Sequence, residues 1–100
     1  MPRRYRKLYA IGYRFERRVS AHYRKLGYVT IEARGSHGPA DIWAINNREI
    51  LLIQATTNKA YKTEADFNRL RELRRLIGRA DVRLIFAYRE NRKIVVEEIE

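Results

Sequence analysis

Two apolar segments separated by a short polar break lie in the middle of the chain, at residues 40–56, ADIWAINNREILLIQAT. Asn46-Asn47 suits a tight hairpin turn because asparagine tolerates positive φ, so the segments are predicted to be neighbouring antiparallel strands. One face of the hairpin then carries Trp43, Ile45, Ile50 and Leu52, and the other carries Ile42, Ala44, Leu51 and Ile53. Because strands that are apolar on both faces are covered on both sides, we expect a sheet flanked by helices.

The rest of the chain is predicted to form two helices and three further strands. Apolar residues recur at helical spacing over 8–26, and Gly27 follows as a stop. A second helix is predicted from a capping box at Thr63–Asp66 to a stop at Gly78. Strands are predicted over 28–34, 81–88 and 93–99, with residues 89–92 joining the last two. The expected fold class is α/β, a mixed central sheet in the order αβββαββ.

The domain organisation is predicted to be simple. A length of 100 residues fits one domain, and residues 1–7 are expected to form a basic N-terminal arm. The longest apolar run, residues 50–53, is far shorter than a membrane span requires. No apolar segment follows the basic N-terminus as in a secretory signal, and the absence of cysteine excludes disulfides and thiolate sites. We therefore expect a cytoplasmic protein without a membrane partner.

The charge of the chain points to nucleic acid. Lys and Arg outnumber Asp and Glu by 22 to 12, which gives a net charge of +10. Nine of these cations lie in residues 1–27, beside a single acid, Glu16. Such clustering is typical of proteins that bind phosphate backbones. The arginine-rich face of the second helix has a second interpretation, a solvated surface with internal pairs to Glu72.

Three oxygen-bearing side chains suggest a metal site. The predicted hairpin places Asp41 and Gln54 on one face as diagonal cross-strand neighbours, close enough to share a cation. Magnesium prefers oxygen ligands and keeps several waters, so few protein ligands suffice. Glu16 is either a further ligand or the ion-pair partner of neighbouring arginines, and the residues alone favour the ion pair.

Several short motifs in order resemble one nuclease family. These are Gly12-x-x-x-Glu16, Gly35-Ser36, Pro39-Ala40-Asp41-Ile42 and Ile53-Gln54-Ala55-Thr56. Together they resemble the archaeal Holliday junction resolvases of the PD-(D/E)XK nuclease superfamily, over residues 8 to about 88. The resemblance implies a restriction-endonuclease-like core, whose αβββαβ order agrees with the predicted elements.

The resemblance also implies roles for individual residues. Glu16 and Asp41 would bind the metal, Mg²⁺ or Mn²⁺, and Ser36 would be the catalytically important serine. Gln54 stands where the family has a metal-binding glutamate, and Thr56 stands where it has a lysine. Gln54 can still ligate through its carbonyl oxygen, whereas Thr56 supplies no charge. Lys59 or Lys62, just past the strand, is the predicted replacement, and Lys59 is included in the predicted catalytic set.

Three functions follow, in order of preference. The first is a divalent-metal-dependent endodeoxyribonuclease acting on branched DNA such as four-way junctions, as in recombination and repair. The second is a non-catalytic DNA-binding relative with a decayed site, and the third is a basic ribonucleoprotein component. With only two helices for two sheet faces, a homodimer is expected. The predicted DNA contacts are Arg3, Arg4, Arg6, Lys7, Arg34, His37, Lys59 and Lys62.

Overall fold

The computed structural model describes the backbone of residues 3–33 and 39–100, and the side chains of residues 10–33, 39–60 and 62–100. Its elements are α1 (Arg3–Lys25), β1 (Val29–Glu32), β2 (Ile42–Ile45), β3 (Ile50–Thr56), α2 (Glu64–Ile77), β4 (Val82–Glu90) and β5 (Lys93–Ile99). A short 3-10 turn, Lys59–Tyr61, lies between β3 and α2. The predicted order αβββαββ is confirmed.

The five strands form one mixed sheet in the order β1-β2-β3-β4-β5. Only β3 and β4 run parallel, and the other neighbouring pairs are antiparallel. A parallel pair needs a crossover connection, and α2 supplies it. The chain is therefore an α/β domain with a mixed sheet, as predicted.

The sheet has an apolar cluster on each face. On one face, Phe15, Val19 and Tyr23 of α1 pack against a group that includes Ile42, Ala44, Leu51 and Ile53. On the other, Leu70 of α2 packs against Leu52, Val82 and Leu84, with Trp43 and Ile50 partly buried beside them. The two faces predicted from the sequence are confirmed, because α1 and α2 lie on opposite sides of the sheet.

The predicted two-residue turn at Asn46-Asn47 was wrong in length. Ile45 pairs with Ile50, so the loop contains four residues, 46–49. The Asn46 side chain explains the longer loop, because its Oδ1 accepts the backbone N–H groups of Arg48 and Glu49 at 2.8 and 2.9 Å. The observed strand pairing differs from the predicted pairing by two residues, so every side chain still lies on its predicted face of the sheet.

The first helix begins earlier than predicted. It starts at Arg3, so residues 3–7 are helical and do not form a separate arm. Tyr23 is buried on its inner face, whereas His22 is exposed and Leu26 is 60% exposed. Gly27 follows with a φ of 96°, a left-handed conformation that suits glycine, as expected of a helix stop. Neither helix has, in its described part, an apolar stretch long enough to span a membrane.

Candidate active site

A small cavity of about 230 Å³ lies at the C-terminal end of β3. Its charged and amide side chains are Glu16, Asp41, Gln54, Lys62, Asp66 and Arg69. These come from α1, the segments before β2 and α2, strand β3, and α2 itself. The structure thus brings together the three predicted metal ligands, and it adds one of the two candidate lysines.

Asp41 is held firmly at the edge of this cavity. It is 7% exposed, and its Oδ2 accepts the backbone N–H of Ala55 at 2.9 Å. The Lys62 ammonium lies 3.3 Å from the same oxygen. This carboxylate, just before the start of β2, therefore accepts a hydrogen bond from β3, and it also faces a cation that is itself largely buried.

Gln54 lines the cavity and has a side-chain oxygen without a hydrogen-bond partner. The side chain is 4% exposed, and its Nε2 donates to the backbone carbonyl oxygen of Pro39. Its Oε1 is buried and has no hydrogen-bond partner. Leaving a buried acceptor unpaired costs about 1–3 kcal/mol, so this oxygen would gain from a cation or another donor. The carbonyl oxygen is thus the atom through which Gln54 could act as a ligand.

Glu16 is close enough to Asp41 for the two carboxylates to repel each other. The pKa of Glu16 is raised to about 7, chiefly by burial and then by the charge of Asp41, while the Lys62 ammonium opposes the rise. Glu32, at the end of β1, adds a smaller repulsion. Two carboxylates crowded in this way form a site where a divalent cation would relieve the repulsion.

The candidate site nevertheless has few carboxylates that could bind a metal ion. Among the described residues, no group of three or more His, Cys, Asp or Glu side chains is arranged to hold a metal. Asp66 lines the cavity, but its Oδ2 accepts the backbone N–H of Thr63 at 2.8 Å in the predicted capping box. That hydrogen bond lowers the pKa of Asp66. Glu16, Asp41 and the Gln54 oxygen are therefore the groups that fit Mg²⁺, which requires only one or two carboxylates.

The two candidate lysines have different surroundings. Lys62 contacts Asp41, whereas the Lys59 ammonium lies 3.5 Å from Glu97 on β5 and 5.1 Å from the centre of the Tyr88 ring. Thr56, which the resemblance aligns with the family lysine, donates its hydroxyl to the Asn58 carbonyl oxygen at 3.1 Å. The structure therefore places Lys62, and not Lys59, beside Asp41, and the catalytic role predicted for Lys59 stays a prediction.

Glu32 was missed by the sequence reasoning. Its Oε1 is buried without a hydrogen-bond partner, and its charge contributes to the raised pKa of Glu16. The one signal in the sequence is a carboxylate at the end of a predicted strand, which is too common to identify a site.

Several predicted residues lie outside the described part of the chain. Arg34, Ser36 and His37 fall in the undescribed segment 34–38, and the side chains of Arg3, Arg4, Arg6 and Lys7 are likewise not described. Their predicted roles stay predictions.

Comparison with solved structures finds a similar chain from an archaeon. Archaeoglobus fulgidus Hjc, a Holliday junction resolvase from a hyperthermophile, superposes with a TM-score of 0.71 and 27% sequence identity. The match covers 85% of this chain and 73% of that chain. No protein-family model and no curated protein matches the sequence. The region of similarity therefore includes most of the sheet and helices that form the cavity.

Proposed function

Because the chain has the fold of the archaeal Holliday junction resolvases, as its motifs predicted, we propose that it is a resolvase-like endonuclease. In this proposal it hydrolyses phosphodiester bonds in branched DNA, such as a four-way junction, and depends on Mg²⁺ or Mn²⁺. The observation that carries the proposal is the shared cavity of Glu16, Asp41, Gln54 and Lys62 in this fold.

Glu16, Asp41 and the Gln54 carbonyl oxygen would hold the ion. The buried Gln54 oxygen without a partner supports this assignment, because a polar atom is otherwise left unsatisfied there. A bound divalent cation would supply charge neutralisation at the phosphate and a lower pKa for the attacking water. A glutamine in place of a glutamate leaves the ligand set one negative charge weaker.

Lys62 supplies the positive charge that Thr56 cannot. Its ammonium is 3.3 Å from Asp41, and its side chain is only 20% exposed. A fixed cation in a partly dehydrated site stabilises negative charge that develops on a phosphate. We assign Lys62 this role, with Asp41 as the residue that positions it.

A homodimer is part of the proposal. On the α2 side of the sheet, α2 contacts β3 and β4, and the apolar residues of β1 remain open to solvent. Val29 is 68% exposed and Ile31 is 53% exposed, beside the partly buried Trp43 and Ile45. A second copy would cover this face, and a symmetric pair would present two sites to the arms of a junction. Sedimentation of the wild type and of the Ile31→Lys variant tests whether the protein forms a homodimer through this face.

Cleavage of a labelled four-way junction tests the main proposal. Wild type should cut in Mg²⁺ or Mn²⁺, and Asp41→Asn, which retains an acceptor for the Ala55 N–H, should lose more than about a hundredfold in rate. Asp81→Asn is the matched control, because Asp81 precedes β4 at the opposite end of the sheet and pairs with Arg79. Linear duplex serves as the second substrate.

The same assay distinguishes the non-catalytic alternative. Junction binding without cleavage in either metal would overturn the nuclease proposal and leave a DNA-binding relative. The combined change Gln54→Glu and Thr56→Lys would then show whether the fold regains activity when the family residues are restored.

A further inference from the structure

Three cavities adjoin one another, and residues of α1 contribute to the lining of each. The candidate active site shares Lys62 with a larger cavity of about 780 Å³. That central cavity shares Ile11 and Arg89 with a third cavity of about 130 Å³. Because neighbouring cavities share lining residues, we treat them as one open groove that begins at the active site and passes the C-terminal end of β4.

The groove is lined largely by cations and by neutral hydrogen-bonding groups. The central cavity carries Lys59, Lys62, Arg89, Thr57, Asn58 and one carboxylate, Glu90. The third cavity carries Arg14, Arg18 and Arg89, and no carboxylate lines it. The surface therefore suits an extended anion, with its most positive part farthest from the acidic site.

Among the described residues, the three arginines of the third cavity have no acidic partner. No ion pair joins Arg14, Arg18 or Arg89 to a carboxylate within the described residues. Arg14 Nε donates to the Ala10 carbonyl oxygen at 3.3 Å, and Arg18 Nη2 donates to the Arg92 carbonyl oxygen at 3.1 Å. Each of these hydrogen bonds uses one of the five N–H donors of the guanidinium, so the other donors of the side chain remain for a ligand.

We propose that this groove, defined by Lys62, Thr57, Asn58, Arg89, Arg14 and Arg18, holds the backbone of one DNA strand next to the phosphate that is cut. The inference rests on the proposed function and specifies the strand path for it. Lys62 contacts the strand at the active site, and the three arginines contact phosphates farther along the same strand.

A polynucleotide fits the groove better than a small anion does. Lys62 lines the two cavities at the active-site end, and Arg14 and Arg18 line only the third, so successive phosphates of a strand can satisfy both ends better than one phosphate can. Thr57 and Asn58 lie between them and can bond to sugar or phosphate oxygens. Glu90 disfavours close packing of phosphates at the centre, so contacts should concentrate at the two ends.

The salt dependence of junction binding tests the proposal. Each phosphate contact contributes a slope of about −0.9 to log K against log salt. The slope should be smaller by about that amount in each of three variants, Arg14→Gln, Arg18→Gln and Arg89→Gln. Between 50 and 200 mM salt, each variant should therefore lose about threefold less affinity than wild type loses. Arg17→Gln is the matched control, since Arg17 is exposed on the same helix and lines none of the three cavities.

A second arm locates the contacts on the DNA. Junctions with a single neutral methylphosphonate, placed in turn on each side of the cut, should show coupling with Arg89→Gln at one or two neighbouring phosphates of one strand. Coupling there, together with an unchanged slope for Arg17→Gln, supports the groove.

The possible failures are distinguishable. If the groove variants bind and respond to salt as wild type and Arg17→Gln do, the groove is overturned while the proposed function stands. If wild type binds no DNA, both are overturned. Normal thermal unfolding of Arg89→Gln, whose side chain has no acidic partner in the described residues, excludes misfolding as the cause of a change.

Discussion

Two arginine-bearing regions of the molecule differ in how their charge is used. On α2, on β4 and in the loop between them, four arginines each lie within 3.0 Å of a carboxylate oxygen: Arg71, Arg75, Arg79 and Arg83. In the groove, Arg14, Arg18 and Arg89 have no such partner among the described residues. A net charge of +10 therefore does not locate a binding surface, because ion pairs with carboxylates neutralise much of the arginine charge locally.

The paired region has a structural role. Arg83 on β4 joins Glu49, in the loop before β3, to Glu98 on β5, and Tyr28 donates its hydroxyl to the same Glu49 at 2.5 Å. Exposed pairs of this kind contribute about 0–1 kcal/mol each. The alternative reading of the α2 arginines as a solvated surface is supported by the pair between Arg75 and Glu72.

The largest expected effect separates the two lysines past β3. Lys62→Gln should lower the single-turnover cleavage rate by about a hundredfold, because the only fixed cation beside Asp41 in the described site is lost. Lys59→Gln should remain within about twofold, since the Lys59 ammonium is paired with Glu97. Equal losses in the two variants would contradict the assignment of Lys62.

The next effect concerns the acidic end of the groove. Because the pKa of Glu16 is raised to about 7, a proton competes with the metal below that pH. The cleavage rate at subsaturating Mg²⁺ should therefore fall about tenfold per pH unit below 7 and level off above it. A rate that is flat between pH 5.5 and 8 would show that Glu16 does not bind the metal.

Opposite stability changes should distinguish Glu16 from Glu72. The folded pKa of Glu16 is raised, so folding favours its protonated form and stability falls as pH rises from about 4.5 to about 7. Without metal, Glu16→Gln should therefore gain stability at pH 8, by about 1 kcal/mol given solvent screening, and little at pH 5.

Glu72 provides the matched control for that change. Its folded pKa is lowered by Arg75, so its contribution is present above the unfolded pKa and lost as pH falls. Glu72→Gln should thus lower the melting temperature slightly at pH 8. Thermal unfolding at both pH values measures the two variants, and the same sign for both would contradict the difference in their surroundings.

The smallest effect compares one arginine from each region. Arg89→Gln should reduce the salt slope of junction binding by about 0.9, whereas Arg75→Gln should leave it unchanged because Glu72 already neutralises that side chain. Filter binding at four salt concentrations measures both. A larger change for Arg75→Gln would mean that α2 contacts the DNA.

The sheet and its faces could be predicted, but the lengths of its turns could not. Alternation over residues 40–56 identified both faces, and shifting the register by two residues preserved them. The four-residue loop at 46–49 depends on two side-chain bonds from Asn46. Conversely, the last hairpin turns tightly at Asn91 and Arg92, both with positive φ, where a four-residue link was predicted.

The oxygen-bearing side chains of the candidate site could be predicted from the hairpin and the family motifs. Glu16, Asp41 and Gln54 line one cavity, and their role as metal ligands stays a prediction. The roles of Lys59 and Lys62 depend on the 3-10 turn that separates them, which propensity did not indicate. The groove arginines come from α1 and the end of β4, and a sequence pattern carries no measure of which cations lack a partner in space.

The most direct test of the account is the single-turnover rate at which the purified protein cuts a four-way junction in Mg²⁺, measured beside Asp41→Asn. Wild type should cut the junction, and the variant should lose more than about a hundredfold in rate with junction binding retained. Equal rates for the two proteins, or tight binding by wild type without any cleavage in Mg²⁺ or Mn²⁺, would contradict the proposed nuclease function.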